Sequence, residues 1–340
     1  MKLCCNTFKI LTLVFLALLT SVFFTSCDKK PAEFAIDKPN YTIQGRVPSL
    51  ASHPEIEYCL VVEEKGIREL SIEHRLTGLT LKREGILAVG FVPPGGNISF
   101  FIVVPDSIVF YDTYSKWQGS VPYHFLGDVF SVITSQNSSL FAIITGEQTL
   151  AVFSLTDTLL FTLEGVTATV FHPGGGLPIL VAKEGDLVSY NYDFENKIPK
   201  PGLIYRKPAS SVTSLAWTGS RVVGVGGGNF HLWEGPYYAE HRVSSFTPRL
   251  VVGSGTNFYA GCTDGWMRNI VFNPSDIFAL PEYTQMNGIQ HGEAIEYAVP
   301  MQEYGHVASV SVKGGDISIH IFNLDPPGVQ QEEGNTLLEP

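Results

Sequence analysis

The sequence has little cysteine, little charge and none of the common catalytic motifs. Five cysteines occur in 340 residues, and charged residues make up 16% of the chain. No C-x-x-C pair of the kind that binds zinc is present, nor any G-x-S-x-G, H-E-x-x-H or Walker-loop pattern. With 33 acidic and 22 basic residues the formal net charge is −11. This charge argues against nucleic-acid partners and against binding to anionic lipid through a cluster of basic residues. We expect no metal, no cofactor and no enzymatic activity.

Helical patterns are also absent after residue 27, where no stretch combines a helical period with caps. Hydrophobic residues nevertheless make up 44% of the chain. This composition indicates a well-packed globular body, and the length fits either two domains or one large all-β unit.

Two cysteines remain in the body of the chain. Cys59 and Cys262 each lie inside an apolar, strand-like run. They could pair, but buried free thiols are the simpler interpretation for two cysteines so far apart in sequence.

The N-terminal segment has the pattern of an export signal. Lys2 and Lys9 precede the apolar run Ile10–Leu19, and small residues lead up to Cys27. The segment resembles the signal peptide of bacterial lipoproteins, in which the cysteine after the cleavage site becomes the acylated first residue. The resemblance implies palmitate-type acyl chains on Cys27. An uncleaved membrane helix is the alternative, but the apolar run is shorter than the ~20 residues that a span needs.

A tight turn followed by a short alternating strand recurs seven times. The first strand residues are 41, 42, 37, 43, 36 and 51 positions apart, and they are Ile67, Ile108, Leu150, Leu187, Phe230, Trp266 and Ile317. Turn pairs such as Gly-Asp and Asp-Gly supply the positive φ angles of two-residue hairpins. Further apolar runs flank each turn, so each unit is predicted as four antiparallel strands, a to d. Intervals near 40–45 residues are typical of propeller blades.

The predicted fold is therefore an all-β, seven-bladed β-propeller of four-stranded antiparallel blades, and a pair of β-sandwiches is the alternative. The turn Phe171-His172-Pro173-Gly174 and the strand ending in Trp233 resemble those of the WD-repeat family over about residues 41–325. The Gly-His and Trp-Asp pairs of that family are missing, so the resemblance is architectural.

Ring closure is predicted to join the two ends of the propeller. No apolar fourth strand follows the last repeat, whereas the segment Phe34–Gln44 precedes the first and contains Tyr41-Thr42-Ile43. We expect that segment to supply strand d of blade seven. The predicted organisation is a signal peptide at 1–26, a lipid-anchored linker and closing strand at 27–40, the propeller at 41–325, and an acidic, flexible tail at 326–340.

Candidate partner-binding residues lie on predicted loops. In a four-stranded blade the a–b and c–d loops share one end, and the b–c and d–a loops share the other. Exposed aromatic rings on such loops are typical interface anchors, although they could instead fold back as local caps. The longest interval predicts an insertion at residues 281–293, projecting from the opposite end. The candidates are Tyr114, Trp117, Tyr237 and Tyr238 on c–d loops, and Tyr283, Met286 and His291 in the insertion.

These features predict a lipid-anchored scaffold for protein–protein contact in a bacterial cell envelope, facing the periplasm. The lipoprotein propeller of the outer-membrane barrel-assembly machinery is similar in architecture, and this resemblance implies a part in envelope or outer-membrane protein assembly. Its expected partners are the membrane, through the acyl chains, and an envelope protein. The alternative is a propeller that binds or processes a small ligand or glycan at its axial opening.

Overall fold

The computed structural model describes residues 41–44, 50–52, 58–72, 76–92, 98–125, 128–135, 139–155, 158–174, 177–208, 210–302, 305–314 and 316–324. Cys27, the predicted signal peptide and linker, and the predicted acidic tail lie outside the described residues. Within the described residues the chain forms 28 β-strands and no helix. The all-β prediction is therefore confirmed.

The strands fall into seven sheets of four. Blade one contains β2 (Leu50–Ala51), β3 (Tyr58–Glu63), β4 (Gly66–Ser71) and β5 (Leu76–Lys82). Blade two contains β6 (Ala88–Phe91), β7 (Phe100–Val104), β8 (Ser107–Tyr111) and β9 (Trp117–Pro122). Blade three contains β10 (Val129–Thr134), β11 (Leu140–Thr145), β12 (Leu150–Ser154) and β13 (Thr158–Leu163). Blade four contains β14 (Val166–Phe171), β15 (Ile179–Lys183), β16 (Asp186–Asp193) and β17 (Ile198–Ile204).

The remaining blades follow the same pattern. Blade five contains β18 (Ser214–Thr218), β19 (Arg221–Gly226), β20 (Asn229–Glu234) and β21 (Tyr237–His241). Blade six contains β22 (Pro248–Ser254), β23 (Asn257–Cys262), β24 (Met267–Val271) and β25 (Glu282–Gln285). Blade seven contains β26 (Ile295–Gln302), β27 (His306–Lys313) and β28 (Asp316–Phe322), and β1 (Tyr41–Gln44) completes it.

The ring closes as the sequence predicts. Strand β1 pairs antiparallel with β28, from Tyr41 opposite Ile319 to Gln44 opposite Asp316. The first and last strands of the described chain thus share one sheet, and blade seven has its fourth strand. The innermost strands contact one another around the ring, and β2 contacts β26.

The apolar core is divided among the interfaces between neighbouring blades. Each of seven buried clusters combines residues of two adjacent blades, including one between blades seven and one. Between blades two and three, for example, Phe101, Phe141 and Phe153 pack ring against ring. Because both faces of a blade are covered in this way, its middle strands are continuously apolar rather than alternating, as in Phe100–Val104.

Hydroxyl groups in or next to the innermost strands connect neighbouring blades. Thr167 Oγ1 donates to the Val212 carbonyl at 2.6 Å, and Ser214 Oγ donates to the Val251 carbonyl at 3.0 Å. Ser52 Oγ donates in the same way to the Pro300 carbonyl between blades one and seven. These bonds satisfy backbone groups that the inner sheet edges would otherwise leave unpaired.

Candidate partner-binding face

The a–b and c–d loops lie together at one end of the blades, which we call the CD face. On blade two, Tyr114 is 82% exposed and Trp117 is also largely exposed. The loop is fixed by Asp112, whose Oδ1 accepts the backbone N–H groups of Tyr114 and Lys116, each at 2.9 Å. The prediction that both rings reach the surface is confirmed, although partner binding by them stays a prediction.

Two more c–d loops repeat this arrangement, and the sequence analysis missed both. On blade four, Asp193 Oδ1 accepts backbone N–H groups of Glu195 and Asn196 at 3.0 Å, beside the exposed ring of Phe194. Hydrogen bonds from Asn196 hold the pKa of Asp193 below its usual value. On blade six, Asp276 Oδ1 accepts the N–H of Phe278 at 2.9 Å, and Phe278 is 66% exposed. A shared signal is an aspartate one or two residues before the ring.

The neighbouring tyrosines of blade five differ in accessibility. Tyr237 is exposed on the CD face, as predicted. Tyr238 is half-buried, because its ring packs on Trp233 at 5.5 Å and its hydroxyl lies 3.0 Å from Nδ1 of His231. His231 Nε2 donates to the Gly226 carbonyl at 3.1 Å. Tyr238 therefore belongs to an internal hydrogen-bonding group, and its prediction as a free surface anchor is corrected.

The predicted insertion at residues 281–293 is also corrected. Its first part, Glu282–Gln285, is the outer strand β25, paired with β24. The long loop of blade six instead precedes it, at Phe272–Pro281, and belongs to the CD face. Tyr283 is partly exposed on β25, where its hydroxyl accepts from Ser245 Oγ at 2.8 Å. Met286 is buried in the core between blades six and seven, so it is unavailable to a partner.

His291 is likewise buried, contrary to the expectation of a surface residue. Its Nε2 is hydrogen-bonded to Ser309 Oγ at 2.8 Å, and its Nδ1 to Ser311 Oγ at 2.8 Å. The ring of His320 stacks on it with centroids 3.8 Å apart. Burial, with a smaller contribution from His320, lowers the pKa of His291 to about 3. His291 thus ties the connection between blades six and seven to β27.

The axial cavity has a volume of about 700 Å³ and is lined by the innermost strands of all seven blades. Tyr297 crosses it, since its hydroxyl donates from blade seven to the Val132 carbonyl of blade three at 3.4 Å. Arg249 and Glu296 lie against it as an ion pair with Nη2–Oε2 at 2.6 Å. The charges along this lining therefore neutralise each other rather than gathering as an acidic cluster.

The described residues hold no clustered metal ligands and no reactive thiol. Over the described part of the chain, no group of three or more His, Cys, Asp or Glu side chains could hold a metal ion. Cys59 and Cys262 are buried free thiols, as predicted. Burial raises the pKa of each to about 12, so neither is a thiolate near neutral pH. Among the described residues no helix has the length and hydropathy of a membrane span.

The comparisons with known proteins show the fold. No protein-family model matches the chain, and no curated protein matches it in sequence. The solved structure of U3-55K is similar to this chain, with a TM-score of 0.62 and 12% identity, covering 84% of this chain and 98% of that one. A chain of the mitotic checkpoint complex is similar with a TM-score of 0.62 and 10% identity, covering 85% and 96%. At these low sequence identities the similarity shows only the fold, which is a WD-repeat-like, seven-bladed propeller.

Proposed function

We propose that the chain is a non-enzymatic scaffold that binds a protein partner through the CD face of its propeller. The observation that carries this proposal is the set of three aspartate-fixed loops, on blades two, four and six, that expose Tyr114, Phe194 and Phe278. The exposed Trp117 and Tyr237 add to the same face. One of the similar propellers belongs to a protein complex, which is consistent with a scaffold role.

Exposed apolar rings on loops fixed by hydrogen bonds favour the binding of a partner to the CD face. Covering one large apolar side chain contributes about 1.5–3 kcal/mol. A loop already fixed by hydrogen bonds loses less conformational entropy on binding than a free loop does. Fixed, exposed rings are therefore suited to act as anchors, and a closed ring with seven buried interfaces holds them in a constant arrangement.

The proposed setting is a bacterial cell envelope, with the chain held to a membrane by acyl chains on Cys27 and the propeller facing the periplasm. The resemblance of residues 1–27 to a lipoprotein signal supports this setting. A contribution to envelope or outer-membrane protein assembly would follow from a scaffold in that place.

The experiment replaces the exposed rings while leaving the internal one intact. The variant Tyr114→Ala/Trp117→Ala/Tyr237→Ala should lose capture of the main crosslinked partner from intact envelopes, with a melting temperature close to that of the parent. Tyr238 is kept because it bonds His231. The control Leu203→Ala/Ile204→Ala removes two exposed apolar side chains of β17 and should retain capture. Capture retained both by the triple variant and by a variant that also carries Phe194→Ala and Phe278→Ala contradicts the proposal. A collapse in stability contradicts it as well, because it would mean that the rings serve the core.

The alternative of an axial ligand site has the cavity of about 700 Å³ in its favour. It is the weaker proposal, because the strand hydroxyls at Thr167 and Ser214 are engaged between blades and Tyr297 crosses the space. A site for a sugar or small polar ligand needs convergent free polar groups.

A further inference from the structure

The blade-six loop, Phe272–Pro281, carries two of the most exposed apolar side chains in the described structure. Phe278 is 66% exposed and Leu280 is 69% exposed. The two ends of the loop are different, since Phe272 and Pro281 are both buried. The ring of Phe272 packs against Phe230 and Phe258. The loop is therefore rooted in the core while its central part faces solvent.

Blade five holds the loop through backbone carbonyls. Arg221 donates from Nη1 to the Phe272 carbonyl at 3.1 Å and from Nη2 to the Asn273 carbonyl at 3.0 Å. Its Nε donates to Glu234 at 3.0 Å, which fixes the guanidinium. Further along the loop, His241 Nε2 donates to the Ile277 carbonyl at 2.9 Å. Three points of the loop are thus attached to a neighbouring blade.

Local turns fix the segment between these points. Ser275 N–H donates to Asn273 Oδ1 at 2.8 Å, and Phe278 N–H donates to Asp276 Oδ1 at 2.9 Å. Ala279 N–H donates to the Asp276 carbonyl at 3.2 Å, which closes a turn. A loop held at so many points exposes its apolar side chains in a set arrangement, so little ordering entropy remains to oppose binding.

The charges around the blade-six loop indicate which charge the facing surface of a partner carries. Asp276 and Glu282 flank Phe278 and Leu280 in sequence, and both are exposed. Arg221, the cation that holds the base of the loop, is already occupied by carbonyl oxygens and by Glu234. Complementarity then calls for basic side chains on the facing surface. A negatively charged lipid surface would be repelled by the same two carboxylates and by the net charge of −11.

We infer that the blade-six loop is the principal anchor of the CD face, and that it inserts Phe278 and Leu280 into an apolar groove of a protein partner bordered by lysine or arginine. This inference rests on the proposed function and assigns it a location and a partner chemistry.

The experiment introduces p-benzoylphenylalanine at Phe278 of the full chain, and at Leu203 as a control position. Crosslinking from position 278 should give one protein adduct, whose labelled peptide is apolar with nearby lysine or arginine. Affinity for that purified partner is then measured by calorimetry. The variant Phe278→Ala/Leu280→Ala should weaken binding by about 30-fold, the effect of losing a hot spot.

Two further variants make the test specific. Leu203→Ala/Ile204→Ala removes side chains that are 60% and 68% exposed on β17 and should leave affinity unchanged. Asp276→Asn/Glu282→Gln keeps the Oδ1 acceptor of the turn but removes two charges, so it should weaken binding several-fold at low salt and less at high salt.

An adduct on lipid or on a second copy of the chain overturns the inference, as does unchanged affinity of Phe278→Ala/Leu280→Ala. If the triple variant of Tyr114, Trp117 and Tyr237 loses the partner while the loop variant keeps it, the CD face is correct and the anchor is wrong. If both variants bind like the parent, the proposed function fails as well.

Discussion

His291 is the residue whose protonation should most affect stability. Its pKa is lowered from 6.5 to about 3 in the folded chain, first by burial and second by His320. Below pH 6.5 the unfolded chain binds a proton that the folded chain excludes, so the free energy of unfolding falls as the pH falls. The contribution is fully present above pH 6.5, and its loss is at most about 1.4 kcal/mol per pH unit down to the folded pKa.

Urea unfolding at several pH values between 7.5 and 5 would measure this effect. The parent should lose stability steeply over that range, and His291→Gln should show a shallower slope whatever its stability at neutral pH. His241, whose pKa is also lowered chiefly by burial, remains in both proteins. Equal slopes would contradict the assignment to His291.

The exposure and hydrogen-bond partners of individual residues could not all be predicted from the sequence. Tyr237 and Tyr238 are adjacent and were given one role, yet one faces solvent while the other bonds His231. Successive strand residues point to opposite sides, so only one of two neighbours can face outward freely. The sequence predicts His291 on the surface because the longest interval between repeats predicts a projecting insertion at residues 281–293. Its two serine partners lie far along the chain in β27, and nothing local in the sequence indicates them.

The closing strand is the element with the clearest test. Deleting residues 31–44 removes β1, which is the fourth strand of blade seven, and leaves the outer edge of β28 unpaired. We expect the melting temperature to fall by about 5 °C or more. Deleting residues 31–39 is the matched control, because it shortens the chain but keeps Tyr41–Gln44. Equal melting of the two deletions would show that β1 contributes nothing to the ring.

Elements with strong turns were predictable, whereas the outer strand of blade six was not. The turn Asp264-Gly265 and the apolar run before it place β23 and β24, and Gly265 has the positive φ of 79° that such a turn requires. Strand β25 has the sequence Glu-Tyr-Thr-Gln and is exposed throughout. It forms by pairing with β24 rather than through an apolar face of its own, so its composition resembles that of a loop.

Attachment to a membrane is a property of the whole molecule. If Cys27 carries acyl chains, Cys27→Ser should move the protein from the detergent phase to the aqueous phase of a phase-separation assay. Stable attachment needs more than one chain, and loss of the modified cysteine removes them together. Retention of Cys27→Ser in detergent would favour an uncleaved membrane helix. The double variant Cys59→Ser/Cys262→Ser is a control, since neither buried thiol bears on partitioning.

The architecture of the whole molecule was the most accessible feature of the sequence, because it repeats. Seven weak strand patterns at similar intervals are together stronger evidence for a repeated fold than any one pattern alone. The c strands of the structure begin within one residue of the predicted positions. The CD face was harder to predict. Phe194 and Phe278 resemble core residues in composition, and only the aspartate turns before them place them on loops.

The pairing of β1 with β28 also sets an order of events during synthesis. Because translation runs from the N-terminus, β1 leaves the ribosome before every blade, and its partner leaves in the last one. A chain released before β28 is made cannot close, however well its earlier blades have formed. The ring therefore closes only after translation has reached the seventh blade. Truncated products are left with an open sheet edge that quality-control proteases can recognise.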